Sequence, residues 1–286
     1  MRKATFAGQF YPASQAALDK ALEQAFLGER GPGSLPPRKH DRHVLAAIVP
    51  HAGYDFSGQA AAWAYHAIAA TETPDLFIIL APNHHSAESG TTTEPVETPL
   101  GMVRVDQAFV RGLVEKGTIG LDDQIMPAEH SVEVQLPFLQ FILKDGLEKL
   151  KIAPLLISAD IDLKQLALDI KETLVEQNKK AIFIVSSDFT HHGPQYHYQR
   201  FNQDAAAKIY DLDAQMIELI KERNAAEFAE FVDKEMATVC GALPIQLLLM
   251  LLKPCEAKLE QYYTSGDVLD DYKNSVSYAA IVFEQP

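Results

Sequence analysis

The chain has 286 residues, 47% hydrophobic and 22% charged, enough for one large or two modest globular units; a single domain over residues 1–286 is expected. The net charge of −14 is spread along the sequence, which excludes the basic patch of a nucleic-acid binder, and no apolar run approaches the roughly 20 residues of a membrane span. Two cysteines are too few for a disulfide scaffold and the N-terminus lacks the apolar stretch of a signal peptide, so a reducing cytoplasm is the expected location.

In chain order, Phe6-Ala-Gly-Gln-Phe-Tyr-Pro precedes a helix pattern from Ser14 to about Leu27, and Gly28 to His40 reads as an extended connection. A β-branched run, Val44 to Val49, ends in Pro50-His51-Ala52-Gly53, and a small-residue helix pattern follows from Gln59 to Ala70. Leu76 to Pro82 is a second buried-type strand, ending in Asn83-His84-His85. Ser86 to Thr93 is a polar loop, and Pro95 to Val105 predicts a hairpin turning at Thr98-Pro-Leu-Gly101. Asp106 caps a helix to about Lys116, and an acidic loop, Gly120 to His130, leads into a helix from Val132 to Lys144 that Pro137 kinks or restarts.

Lys151 to Ser158 reads as a strand whose Pro154 places it near an edge or makes it irregular. A helix from Leu163 to Asn178 leads to the strand at Ala181, which ends in Ser186-Ser-Asp188-Phe-Thr-His191-His192-Gly193. Helical patterns follow at Phe201–Tyr210, Ala214–Glu222 and Ala225–Lys234, then an apolar helix over Gly241–Leu252. Two last strands, Ala257–Thr264 and Ser275–Phe283, are expected to run antiparallel at an edge. Strands alternating with helices predict an α/β fold: a mostly parallel central sheet with helices on both faces.

Three buried-type strands thus end in histidine, and ligands of open α/β sheets sit at the carboxyl ends of strands. His51 and His84 are candidate metal ligands, against the plainer alternative that they bond loop backbone. Asp188, three residues before His191, can orient it for acid–base work, or the cluster is a capped turn. His130 either enters the same cleft or caps a helix. Cys240 lies just before a helix, where amides favour a thiolate, though a lone cysteine there is more often a packed hydrophobe. GxSxG, GxxxxGK and GxGxxG are absent, so serine-hydrolase, P-loop and dinucleotide readings lack support.

Val49-Pro-His-Ala-Gly-Tyr-Asp-Phe-Ser-Gly58, Leu80-Ala-Pro-Asn-His-His85, Glu129-His-Ser-Val-Glu-Val-Gln-Leu-Pro137, Ser186-Ser-Asp-Phe-Thr-His191, Cys240-Gly241 and Ser275-Val-Ser-Tyr-Ala-Ala280 together resemble the Memo family, the B component of the AmmeMemoRadiSam group. That family is similar in fold to LigB-type class III extradiol dioxygenases, whose non-haem iron is held by two histidines and a glutamate. The resemblance implies His51, His84 and Cys240 as metal ligands, Asp188 and His191 as the remaining polar site residues, and His130 on the cleft wall. It also implies an iron or copper ion, with zinc as an alternative, an unidentified small-molecule substrate and a functional link to a radical-SAM protein. Thiolate in place of carboxylate softens the site, so ring cleavage does not follow. A metal-dependent redox enzyme, a metal- or peptide-binding scaffold and a zinc-dependent hydrolase all stay open.

Overall fold

The computed structural model describes residues 2–285. In chain order its elements are α1 (Gln15–Leu27), β1 (Val44–Val49), α2 (Tyr54–Ala69), β2 (Leu76–Pro82), β3 (Gly90–Thr91), β4 (Val96–Thr98), β5 (Gly101–Val105), α3 (Gln107–Glu115), α4 (Leu136–Ile142), β6 (Lys151–Ile157) and α5 (Leu163–Glu176). β7 (Ala181–Ser186), β8 (His191–His192), α6 (Ala205–Lys221), α7 (Ala225–Glu235), α8 (Ala242–Leu251), β9 (Glu256–Thr264), α9 (Ser265–Leu269) and β10 (Ser275–Glu284) complete it. The strands form one sheet in the order β4-β5-β6-β2-β7-β1-β10-β8, with β3 beside β6 and β9 beside β10.

The run β5-β6-β2-β7-β1 is parallel, as continuous apolar strands buried on both faces require. β1 to β2 crosses the sheet in one direction and β6 to β7 in the other. Right-handed crossovers therefore place α2 and α5 on opposite faces. α1 and α4 pack beside α2; α3 and α8 pack with α5, and α8 lies over β2 and β7. The side-chain cap predicted at Asp106 is present, accepting from Phe109 N, and Ser14 likewise accepts from Ala17 N at the start of α1.

Four sequence expectations change. α2 begins at Tyr54, five residues early, because Gly58 is an interior helix position: a Cβ there would meet Tyr54 Cβ at 3.5 Å and Ala25 Cβ at 3.6 Å, so it serves the packing of α1 on α2. The patterns at Phe201–Tyr210 and Ala214–Glu222 belong to one helix, α6. Its buried Asp213 accepts hydrogen bonds from the Thr190 and Tyr262 hydroxyls instead of ending the helix. β10 is antiparallel but interior, between β1 and β9, and only β9 keeps an edge position.

β6 is also interior. The Pro154 carbonyl accepts from Thr91 Oγ1 at 2.7 Å, which shows the side of the strand to which residue 154 points. On that side β5 pairs only as far as Ile152 and β3 starts at Leu155, so the missing N–H of Pro154 falls in the gap between two partners. Pro154→Val is accordingly expected to lower stability by up to about 1 kcal/mol through added chain entropy, with no ladder bond gained. Chemical denaturation that showed stabilisation would mean the new N–H had found an acceptor.

Candidate metal centre

β2, β7 and β1 are neighbours, and their carboxyl ends deliver His84, Asp188 with His191, and His51 to one place. His130 arrives on the loop before the 3-10 turn Glu133–Gln135. Its ring stacks on His84 with centroids 4.9 Å apart and stands edge-on to His51 at 5.2 Å. Cys240 comes from the segment between α7 and α8, and its Sγ lies 3.1 Å from His51 Nε2. The ligand atoms of His51, His84 and Cys240 all lie within 4.8 Å of one another, and so do those of Asp188, His191 and Cys240.

The hydrogen bonds behind the rings fix their tautomers. Ser186 has one hydroxyl proton and donates it to Ser131 O at 2.6 Å. Its oxygen must therefore accept from Gln135 Nε2 and from His51 Nδ1, at 2.8 and 3.0 Å, so His51 carries its proton on Nδ1 and presents a bare Nε2 to Cys240. His84 Nδ1 donates to Glu129 Oε1 at 3.0 Å, and His130 Nδ1 lies 3.2 Å from the same oxygen. His191 Nδ1 donates to the carbonyls of Phe189 and Thr238, at 2.9 and 3.0 Å. All four imidazoles thus turn Nε2 lone pairs away from their anchors, the arrangement a ligand or proton acceptor needs.

Glu129 is fully buried and also accepts from the backbone N–H groups of His84 and Ser131. Burial alone would raise its pKa, but hydrogen bonds from His130 and His84 hold it well below the ordinary carboxylate range. His51 is pushed well below the usual imidazole value by burial and by His130 and His84 beside it, which keeps it neutral and able to ligate. Burial, and then the charge of Asp188, push the Cys240 thiol well above its ordinary value.

The backbone N–H groups of Asp188 and Gly241 favour a thiolate, as expected, but burial and the Asp188 charge outweigh them. Gly241 N donates to Ser187 Oγ, and Sγ receives the Asp188 N–H at 3.2 Å. Without a cation, Cys240 is a thiol donating to His51; a cation taking that proton's place makes it a thiolate ligand. Two imidazole nitrogens and a convertible thiol form a donor set suited to a borderline or soft metal.

Each residue predicted from sequence lies here, and one takes a part different from that anticipated. Asp188 does not orient His191, whose anchors are carbonyls. Instead its Oδ1 accepts from His51 N and Ala52 N and pins the β1–α2 turn, while burial raises its pKa against the pull of His191. His130 enters the cleft. His85 is exposed, and its N–H bonds Asn83 Oδ1. Phe189 is fully buried core, and the Tyr54 hydroxyl is spent on Val134 O. A groove of about 1270 Å³ lies at the other end of the sheet, lined by Leu45, Lys171, Ala181 and Phe183, and takes no part in the site.

Sequence reading passed over Gln135 and Thr238, and it gave neither Glu129 nor Ser186 the part of anchoring an imidazole. It also passed over the N-terminal segment: Phe10 stacks on His130 at 4.3 Å, and buried Arg2 donates to Glu129 O at 2.6 Å and pairs with Glu133 at 3.1 Å. The only hint was the quoted Phe6–Tyr11 stretch.

Fold and site together define a mixed α/β protein with a histidine–cysteine group at its strand tips that could hold a metal ion. The chain belongs to the Memo-like protein family, whose model matches residues 2–282. A MEMO1 family protein of Methanopyrus kandleri is 38% identical over 99% of both chains, and one of Sulfurisphaera tokodaii 34% identical over 99% of both. An uncharacterized protein of Escherichia coli K12 shares the fold with TM-score 0.50, at 12% identity, over 83% of this chain and 98% of its own.

Glu129→Ala removes an acceptor from two imidazoles and two backbone amides, and is expected to cost about 3 kcal/mol in folding stability. Because the folded carboxylate is depressed, its stabilisation is present above the unfolded value of about 4.5 and is lost as pH falls through the folded one. The difference between wild type and Glu129→Ala should therefore shrink on acidification below about pH 4.5. A pH series of thermal melts checks this, and a gap that widened in acid would contradict it.

Proposed function

We propose that this protein is a metal-dependent redox enzyme holding iron or copper at His51, His84 and Cys240 and acting on an unidentified small molecule. The observation that supports the reading is the mutual approach, within 4.8 Å, of two imidazole nitrogens from the ends of β1 and β2 and a thiol sulfur from the segment before α8. When bound, the ion supplies one-electron chemistry and a point of attachment for an oxygen-rich or phenolic substrate. The chain's own residues do the rest. His191, fixed by the Phe189 and Thr238 carbonyls, takes up or gives a proton at Nε2; His130, held against Glu129 and Phe10, offers a second Nε2. Asp188 keeps the His51 turn in register.

The deciding experiment is elemental analysis of protein purified without chelators or a metal-binding tag, wild type beside Cys240→Ser. Near-stoichiometric iron or copper that falls at least tenfold in the variant is expected. No metal in either protein after anaerobic reconstitution would overturn the reading and leave a scaffold, and zinc alone with no redox activity would point to a hydrolase. His191→Ala is expected to abolish turnover while the ion at His51, His84 and Cys240 stays; unchanged turnover would remove His191 from the chemistry.

Metal affinity carries a pH signature. The raised Cys240 pKa means that a proton leaves as the ion binds, so apparent affinity should weaken about tenfold per unit between pH 8 and 6 for one released proton. Calorimetric titration in buffers of different ionisation enthalpy measures this, and binding with no proton release would exclude the thiol as ligand.

A further inference from the structure

We propose that the cleft takes a second metal ion, bound by Asp188, His191 and Cys240, with the Cys240 sulfur bridging it to the ion at His51 and His84. The inference rests on the reading above and extends it from one ion to two.

The five donors fall into two overlapping triplets, each with ligand atoms within 4.8 Å of one another and with Cys240 in common. Four of the five spend their other polar atom on the protein, so one atom remains for a metal. His51 gives Nδ1 to Ser186 and His84 gives Nδ1 to Glu129. His191 gives Nδ1 to two carbonyls, and Asp188 gives Oδ1 to the amides of His51 and Ala52. Asp188 Oδ2 is left over and faces the same centre, 4.0 Å from His51 Nε2. A carboxylate oxygen aimed there by its own backbone anchoring, beside an imidazole whose Nε2 has no protein acceptor to serve, is half of a tetrahedral ligand set; a thiolate sulfur, which has lone pairs for two metals, supplies the next ligand to both halves.

Charge and distance agree. One divalent ion leaves the group of Cys240 thiolate, Asp188 and Glu129 with a net negative charge in a largely buried setting, whereas two divalent ions bring it to a single positive charge. Metal–sulfur bonds of about 2.3 Å from a shared thiolate put the ions roughly 3.5–4 Å apart, the span of two-metal sites in general. In the two-ion form His191 is a ligand, and proton transfer falls to His130, whose Nε2 neither triplet uses.

The probe is cobalt(II), dialysed anaerobically to saturation and counted by elemental analysis and native mass spectrometry, with the cobalt EPR signal followed through the titration. Wild type is expected to bind two ions, with the signal rising to one equivalent and then falling as the ions couple. His191→Asn and His84→Asn should each bind one ion and keep an uncoupled signal, and Cys240→Ser should bind each ion at least tenfold more weakly with no coupling. His191→Gln, closer in size, guards against a folding defect, and each variant's thermal melt is compared with that of the metal-free wild type. Saturation of wild type at one ion, unaltered by His191→Asn or His191→Gln, would overturn the second site and leave the first intact. Two ions that both survive in His191→Asn and His191→Gln would place the second elsewhere and equally overturn it. No cobalt bound by wild type would overturn the one-ion reading as well.

Discussion

A serine hydroxyl has one proton, and the use Ser186 makes of it governs the centre of the molecule. By donating to Ser131 O, it leaves only lone pairs for His51, which must then carry its proton on Nδ1 and turn a bare Nε2 into the cleft. Gln135, donating to the same oxygen and to Pro50 O, locks that choice from the helical side. The bonds run between the ends of β1 and β7 and the segment leading into α4, so they also close the sheet's carboxyl edge over the core. Packing and tautomer are settled together: a shift of either strand end would change which atom His51 presents.

The parts of this arrangement that could be read from the sequence are local. β1, β2 and β7 announce themselves as β-branched runs, and Pro-His, Pro-Asn-His and Ser-Asp-Phe-Thr-His at their ends mark positions where an α/β sheet exposes chemistry. The parts that could not be read are pairings across long separations. Glu129 serves His84 from 45 residues away, and Ser186 serves His51 from 135. Arg2 reaches Glu133 across 131. Nothing in the spacing of these residues signals that they meet. Asp213 shows the same limit in the fold: a carboxylate amid helical sequence looks like a break until Thr190 and Tyr262 are seen to satisfy it.

The N-terminal segment is more than an approach to the first helix. Glu133 is fully buried and collects donors from Thr5 N, Phe6 N, the Tyr11 hydroxyl and Arg2, so four groups of residues 2–11 converge on one side chain. Arg2 also holds the Glu129 carbonyl, and Phe10 covers one face of His130. Glu133 opens the 3-10 turn four residues after Glu129, whose own backbone is extended. A short stretch of chain therefore carries two nearby carboxylates, one bound to the N-terminal segment and one to the imidazoles.

A thiol, not a carboxylate, stands among the imidazoles at position 240, and the difference is physical. A buried carboxylate in the position of Cys240 would carry an uncompensated charge whenever the cleft held no cation. The thiol avoids this: burial keeps it protonated, and it donates to His51 in the interval. The carboxylates of the cleft are Glu129 and Asp188, each held by hydrogen bonds from backbone N–H groups. Such a site can fold before it is loaded, and the first ion to bind the sulfur must displace its single proton, so the affinity for metal is tied to the same burial that keeps the thiol protonated.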